Sequence, residues 1–383
     1  QQIFLDEMRA VGNNIDDITL VKATDSIAEI QRLILKLLEQ KVAYVASDGI
    51  YFSVDTYAKK RQYGQLSHID LHSHHQERIV NDEYDKDSPS DFALWKKQKP
   101  GEPAWDFALA DGTHLAGRPG WHIECSVMSS HNLGQPFDIH TGGVDLIFPH
   151  HENEIAQSEA VSGKQFVHYW MHNAFLNIDN VKMSKSLGNF KTVRQISEEY
   201  DLQVLRFFML SAHYRSPLNF SREMMDGAKA SLDRILTAME HLRDCLAAAK
   251  AEALTGAEEE ELTAFDALRE KFEAAMDDDF NTADAISVIF EMVKRANITV
   301  TEESSKAYII RVKELLEKLL DVLGLLSERK EENLDARVEA LIAERQTARK
   351  EKNFARADEI RNELTAMGIL LEDTKEGVKW KRA

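Results

Sequence analysis

Cysteine is nearly absent from this chain: Cys125 and Cys245 are the only two among 383 residues. That excludes a disulfide framework and suits a reducing compartment, and Cys245, on a helical pattern, reads as buried and inert. No apolar run approaches the roughly 20 residues that a bilayer-spanning helix needs, and no signal peptide opens the chain, so a soluble cytoplasmic protein is expected. Positive charge is also short. Lys and Arg number 47 against 65 Asp and Glu, and the formal net charge of −18 excludes broad electrostatic affinity for nucleic acid. Any RNA contact must use local basic patches. An initiating Met is missing too: Gln1-Gln2 leads straight into an amphipathic stretch from Ile3 to Val11, which reads as the interior of a longer protein.

What is present concentrates between residues 117 and 190. Gly117 to Cys125 reads Gly-Arg-Pro-Gly-Trp-His-Ile-Glu-Cys, and His140 to Glu154 reads His-Thr-Gly-Gly-Val-Asp-Leu-Ile-Phe-Pro-His-His-Glu-Asn-Glu. His150 and Glu154 are four apart on a segment that reads as a helix start, so they share one face. Pro149 suits a first helical turn, and Glu152 and Glu154 favour the positive end of the helix dipole. Cys125 adds a sulfur. Zinc accepts sulfur, nitrogen and carboxylate oxygen together, and three protein ligands leave a position for substrate. The plainer account makes Cys125 a small buried hydrophobe and lets His150 and Glu154 cap and decorate a helix. His151, turned about 100° further round the helix, is a weaker ligand candidate.

A second signal is Lys182-Met183-Ser184-Lys185-Ser186, followed by Leu187-Gly188-Asn189-Phe190. Two ammonium groups three apart on a polar loop can clamp nucleotide phosphates and neutralise charge as pyrophosphate leaves. A solvated surface turn would use the same residues. Elsewhere, Ser26 to Glu29 is a capping-box pattern opening a helix through Glu39, with Ile27, Ile30, Leu33, Ile34, Leu37 and Leu38 as its buried stripe. Tyr44 to Val54 alternates as a hairpin around Ser47-Asp48-Gly49. His68, His72, His74 and His75 lie in a polar stretch without a ligand framework and read as a solvated loop.

Helical periodicity dominates from residue 228: 228–249, 258–276, 284–296 and 304–323 each suit a helix bundle. The run Met276-Asp277-Asp278-Asp279-Phe280-Asn281-Thr282 interrupts them as an acidic turn, with Asn281-Thr282 placed to cap the next helix. A helical hairpin, 338–350 and 354–367, then leads into a strand pair ending at Trp380. From Arg345 to Arg361 six basic residues face three acidic ones, and with Phe354 and Trp380 they suit a surface that stacks unpaired RNA bases. A solvated hairpin is the bland alternative.

The paired motifs resemble the second half of a class I aminoacyl-tRNA synthetase catalytic domain, and their full wording is similar to the cysteinyl-tRNA synthetase family over essentially the whole chain. The resemblance implies a partial Rossmann-like α/β catalytic domain with an insertion, an all-α bundle and a small α+β anticodon-binding module. Its segments would be 1–29 (end of the first catalytic half), 30–113 (connective insertion), 114–163 (second half with the zinc site), 164–225 (stem-contact region with the Lys-Met-Ser-Lys-Ser loop), 226–325 (bundle) and 326–383 (anticodon module). The implied reaction activates cysteine with ATP to cysteinyl-adenylate and transfers it to the cysteine tRNA.

By the same resemblance, one zinc ion is held by Cys125, His150 and Glu154, and Trp121 and His150 line the amino-acid pocket. Gly142, Gly143, Asp145 and Lys185 meet ATP, which arrives with magnesium, while Lys182 and Lys185 serve the transition state. Arg349, Phe354, Asp358 and Asp373 become anticodon readers, although many relatives carry Trp where Phe354 stands. A monomer is expected. The family's His-x-Gly-His type phosphate motif and a further zinc-binding cysteine are expected before Gln1, so the chain by itself would lack half its ATP site. Two other readings stand beside this one: a ligase joining cysteine to an amino sugar in mycothiol biosynthesis, and a catalytically incompetent RNA- or zinc-binding fragment.

Overall fold

The computed structural model describes residues 1–68, 90–183, 188–326, 328, 334–350, 353–366, 369–374 and 377–382. His72, His74 and His75 therefore lie outside the described residues. The chain divides into two compact units, Gln1–Ser231 with Leu268–Val288, and Leu232–Ala267 with Ile289–Ala383.

In the first unit, helix α1 (Gln2–Ala10) leaves Ile3 and Phe4 exposed. Helix α2 (Ile27–Glu39) buries Ile30, Ile34 and Leu37 and half-buries Ile27, Leu33 and Leu38, the stripe that its periodicity predicts. The expected capping box does not form. A 3₁₀ turn over Ala23–Ser26 runs straight into α2, so Ser26 Oγ donates back to the Lys22 carbonyl (3.3 Å) and Glu29 turns to Arg32.

Strands β1 (Ala43–Ala46) and β2 (Gly49–Phe52) form the expected hairpin, with Ala46 paired to Gly49. The sheet continues antiparallel through β3 (Phe92–Lys97) and β4 (Gly117–Pro119) in the order β1-β2-β3-β4. Gly49 is needed for a reason the turn pattern does not give: a Cβ there would lie 2.3 Å from the Trp95 carbonyl oxygen of β3. Helix α3 (Val54–Ala58) follows β2. The sheet and α2 share a core in which Phe52, Phe92, Trp95 and Phe107 meet Ile123 and Val127 of α4 (Trp121–Leu133).

Past α4 comes a βαβ unit. Strand β5 (Phe137–Gly143) pairs in parallel with β6 (Val167–Asn173), and α5 (Glu152–Ser162) connects them over a core of Phe137, Ile155, Phe166 and Val167. Strands β7 (Leu176–Ile178) and β8 (Val181–Lys182) then make a hairpin whose two turn residues, Asp179 and Asn180, are left-handed (φ 48° and 66°), the conformation a tight hairpin turn demands. Helices α6 (Val193–Ser197) and α7 (Leu202–Leu210) start on Thr192 and Asp201 caps, and β9 (Leu218–Phe220) returns parallel to β7.

Helices α8 (Arg222–Ala248), α9 (Gly256–Asp277), α10 (Thr282–Thr299) and α11 (Lys306–Val322) match the predicted periodic stretches. In the second unit Met239, Leu242, Met292, Ala296, Ile309, Val312 and Leu316 are buried, and Cys245 is 2% exposed as expected. Helices α12 (Leu334–Lys350) and α13 (Phe354–Ala366) form the helical hairpin, and β10 (Ile369–Thr374) pairs with β11 (Gly377–Arg382), placing Leu371 opposite Trp380.

One carboxylate ties the starts of two bundle helices together. Glu258 accepts from the Thr255 N–H (2.8 Å) in a reciprocal cap of α9, and from the Ser305 N–H (2.7 Å) and hydroxyl (2.8 Å) at the start of α11. Partial burial opposes ionisation, but these donors hold the carboxyl below its ordinary 4.5. Glu258→Ala is expected to destabilise the helical unit by about 2 kcal/mol in denaturant unfolding, with Glu258→Gln losing less. The wild-type advantage over Gln should be complete at neutral pH and shrink as pH falls below 4.5, because the carboxyl is the more acidic in the folded chain.

Candidate metal centre

The residues singled out around position 150 converge because three elements end at one place. Gly120 is the N-cap of α4, which carries Cys125 one turn in. Before α5, Phe148 is extended (φ −134°, ψ 131°) and the chain enters a wide turn at Pro149, so His150 and Glu154 lie one turn apart on the same face. The Sγ of Cys125, a ring nitrogen of His150 and a carboxylate oxygen of Glu154 all fall within 4.8 Å of one another. His140, in the middle of β5, forms a second such group with His151 and the same Glu154. His151 is thus not turned away: burial places it on the far side of the shared carboxylate.

Glu154 is fully buried. Its Oε1 lies 2.7 Å from His150 Nε2 and its Oε2 lies 3.0 Å from His140 Nε2, yet neither contact has hydrogen-bond geometry and no donor satisfies either oxygen. Burial, aided by the charges of Glu154 and Glu124, pushes the Cys125 thiol up to about 12. A carboxylate that is out of water and lacks a donor needs a positive partner. Sulfur, imidazole nitrogen and carboxylate oxygen are together the donor set of a borderline-soft divalent ion, so these residues fit a metal.

Further histidines orient the inner ones. His122 Nδ1 lies 2.8 Å from His150 Nδ1, and burial followed by the nearness of His150 lowers the His122 pKa to about 3. Neutral His122 can accept from His150 Nδ1–H, which leaves His150 Nε2 free as a ligand atom. His151 Nδ1 meets His172 Nε2 of β6 at 2.8 Å in the same way, and burial lowers the His151 pKa to about 3. Sequence reasoning passed over His122, His140 and His172. The first two lie inside the quoted motifs, and period-two spacing places His172 on the same strand face as Trp170, whose ring packs on His140 and His151 at 4.8 Å.

Trp121 is 61% exposed and lays its ring on His150 (centroids 4.5 Å) and His122 (5.6 Å). At the end of β5, a Cβ on Gly142 would meet His151 Cε1 at 2.7 Å, and one on Gly143 would meet Asp145 Oδ1 at 2.5 Å. Asp145 is exposed. Exposed Lys182 stands on β8 with its Nζ 3.6 Å above the Phe175 ring, whereas Lys185 lies outside the described residues. Arg349 and Asp358 are exposed on α12 and α13, far along the chain in the second unit, and the side chains of Phe354 and Asp373 lie outside the described residues. Of the six basic residues in that hairpin, Arg345 is buried and Arg356 pairs with Glu344 and Glu359.

Glu152, read above as serving the helix dipole, does more. Its carboxylate accepts from the backbone N–H groups of Gly64 (3.1 Å), Leu66 and Ser67 (2.6 Å each), while Asn153 accepts from Tyr63 OH at 2.6 Å. The loop after α3 is thereby fastened to the helix that carries Glu154.

Comparison with known proteins places the chain in a family. Residues 2–230 match the model of the class I (C) tRNA synthetase catalytic domain, 271–327 match the DALR domain, and 331–380 match the cysteinyl-tRNA ligase anticodon binding domain. The chain is 55% identical over 368 residues to a cysteine–tRNA ligase of Lachnospira eligens, covering 94% of this chain and 76% of that protein. A cysteine–tRNA ligase of Lachnoclostridium phytofermentans is 54% identical over 371 residues, covering 95% and 77%. Among solved structures, Mycobacterium tuberculosis methionyl-tRNA synthetase with methionyl-adenylate superposes with a TM-score of 0.56 at 15% identity, over 84% of this chain and 75% of that one. At such low identity the likeness shows the fold alone: a class I synthetase catalytic domain followed by helices. With more than half of the chain matched by the catalytic-domain model and with curated relatives at this identity, the chain belongs to the cysteine–tRNA ligase family of class I synthetases.

Proposed function

We propose that the chain selects cysteine through one zinc ion held by Cys125, His150 and Glu154, in a reaction that joins cysteine to its tRNA at the expense of ATP. The observation that carries this reading is the buried Glu154 carboxylate, without a donor on either oxygen, beside a thiol and an imidazole. Zinc bound there would supply a soft, positive partner for the substrate sulfur, which serine's oxygen does not match. A site that demands one specific bond rejects an analogue lacking it by about 10⁴ or more without editing.

The chain's own residues do the rest. His122 keeps His150 in the tautomer that offers Nε2, and Trp121 covers the His150 ring as one wall of the amino-acid pocket. Gly142, Gly143 and Asp145 stand at the end of β5, where open α/β sheets bind nucleotides, and are assigned to the adenosine. Lys182, together with Lys185, neutralises charge on the phosphates as pyrophosphate departs, with magnesium accompanying ATP. Residues 30–113 are assigned as the connective insertion and 164–225 as the stem-contact region. Arg349, Phe354, Asp358 and Asp373 read the anticodon from the C-terminal module, and the anticodon-domain match there disfavours the amino-sugar ligase. The product acts as a monomer.

Cobalt makes the zinc claim visible. When cobalt(II) is titrated into metal-free protein, a sulfur-to-cobalt charge-transfer band is expected, and added cysteine should intensify it while serine leaves it unchanged. Cys125→Ser should remove the protein's own contribution to that band and weaken metal binding at least about 10-fold. A cobalt spectrum indifferent to cysteine would overturn the reading. In cysteine-dependent exchange of pyrophosphate into ATP, Lys182→Ala is expected to lower the rate about 10²-fold and to leave the cobalt spectrum unaltered.

A further inference from the structure

The acidic turn between α9 and α10 has no part in the site so far. Its geometry is unusual: Asp279 (φ 58°) and Phe280 (φ 55°) are consecutive non-glycine residues in the left-handed region. Such residues persist where surrounding contacts over-determine them. Here Phe280 N–H donates to the Met276 carbonyl (3.0 Å), Asn281 N–H to the Ala275 carbonyl (3.1 Å), and Asn281 Oδ1 caps α10 by accepting from Asp284 N–H (3.2 Å). Thr282 Oγ1 donates to the Leu210 carbonyl at the end of α7 (2.7 Å). The result aims the Asp279 carboxylate at one loop.

That loop is residues 213–216. Tyr214 OH donates to Asp279 Oδ1 (2.7 Å), Arg215 Nη2 meets Oδ2 at 2.8 Å, and Arg215 Nε donates to the Tyr214 hydroxyl (3.0 Å), closing a three-membered polar ring. The backbone of the loop then holds the next layer. The Tyr214 carbonyl accepts from Ala174 N–H (2.8 Å), and Leu218 N–H donates to the Phe175 carbonyl (3.1 Å) before β9 joins β7. Phe175 is the ring beneath the Lys182 ammonium, and Met183 N–H closes the hairpin on the Leu176 carbonyl (3.2 Å).

We infer that Asp279 is a positioning residue for adenylate formation: through Tyr214 and Arg215 it fixes the Ala174–Phe175 backbone and so sets where β8 presents Lys182. The inference rests on the proposed role of Lys182. Each link is a direct contact inside one compact unit, and spatial continuity becomes energetic coupling only if perturbing one end moves the other. No other carboxylate meets Tyr214 OH or Arg215 among the described residues.

Two measurements on the protein test this separately. In native-state hydrogen exchange, Asp279→Ala should speed exchange at Ala174 and Met183 about 10-fold while the amides of β5 and β6 keep wild-type rates. Tyr214→Phe, which removes one hydroxyl, and Asp279→Asn, which keeps the shape, should give smaller effects in the same places; they serve if the Ala variant does not fold. In cysteine-dependent pyrophosphate exchange, Asp279→Ala should lower kcat/KM for ATP about 10-fold and leave the cysteine-induced cobalt spectrum unchanged. Asp279→Ala combined with Lys182→Ala should be no worse than Lys182→Ala alone. Unchanged amide exchange would overturn the clamp. Altered amide exchange with wild-type kinetics, or kinetic losses that multiply in the double variant, would overturn the positioning of Lys182. Full-length wild-type protein, extended through its natural N-terminus, with no cysteine-dependent exchange would instead sink the proposed reaction and the positioning role that rests on it, with the clamp still decided by the amides.

Discussion

Taking the Glu154 carboxylate out of water without giving either oxygen a hydrogen-bond donor costs several kcal/mol unless positive charge stands beside it. Much of the central stretch can be understood as the means of tolerating that charge. His150 and His140 bring ring nitrogens to the two oxygens from opposite sides, and Cys125 adds a thiol that only a cation would ionise at neutral pH. Behind two of the inner imidazoles stands another, His122 behind His150 and His172 behind His151, both with lowered affinity for protons. The outer rings are therefore acceptors and orienters. They add no competing charge, so the cluster keeps its demand for a metal.

The same helix that buries Glu154 is anchored one residue at a time. Glu152 takes three backbone N–H groups of the 64–67 loop, Asn153 takes Tyr63 OH, and Ser126 of α4 donates to the Glu154 carbonyl. Ligand precision is thus supplied by packed neighbours on rigid elements, which a metal site needs if its geometry is to discriminate between ions. The phosphate side is built differently. Lys182 stands exposed on a two-residue strand, and its support comes from a stack of backbone bonds reaching back to Asp279.

What the sequence made legible follows from how local each signal is. The helices from 222 to 322 and the α2 stripe were readable because periodic burial writes itself into consecutive turns. The hairpin at Asp48-Gly49 was readable too, but the glycine answers to the Trp95 carbonyl of a strand more than forty residues on, which no local pattern encodes. Ser26 failed as a cap because a 3₁₀ turn had already begun upstream. Cys125, His150 and Glu154 came together as their types and spacing proposed. His122, His140 and His172 did not announce themselves, since a histidine 28 residues from its partner looks like any other until the fold brings two ring nitrogens to 2.8 Å.

Gly142 carries a consequence for how this sequence can vary. The space that a side chain would need there is filled by the His151 ring, which in turn leans on His172 and Trp170. An alanine at 142 could be accommodated only by moving that imidazole, and with it a ring on the neighbouring strand. A side chain at 142 is thus felt first at His151 and then, through that ring, at His172 on the neighbouring strand.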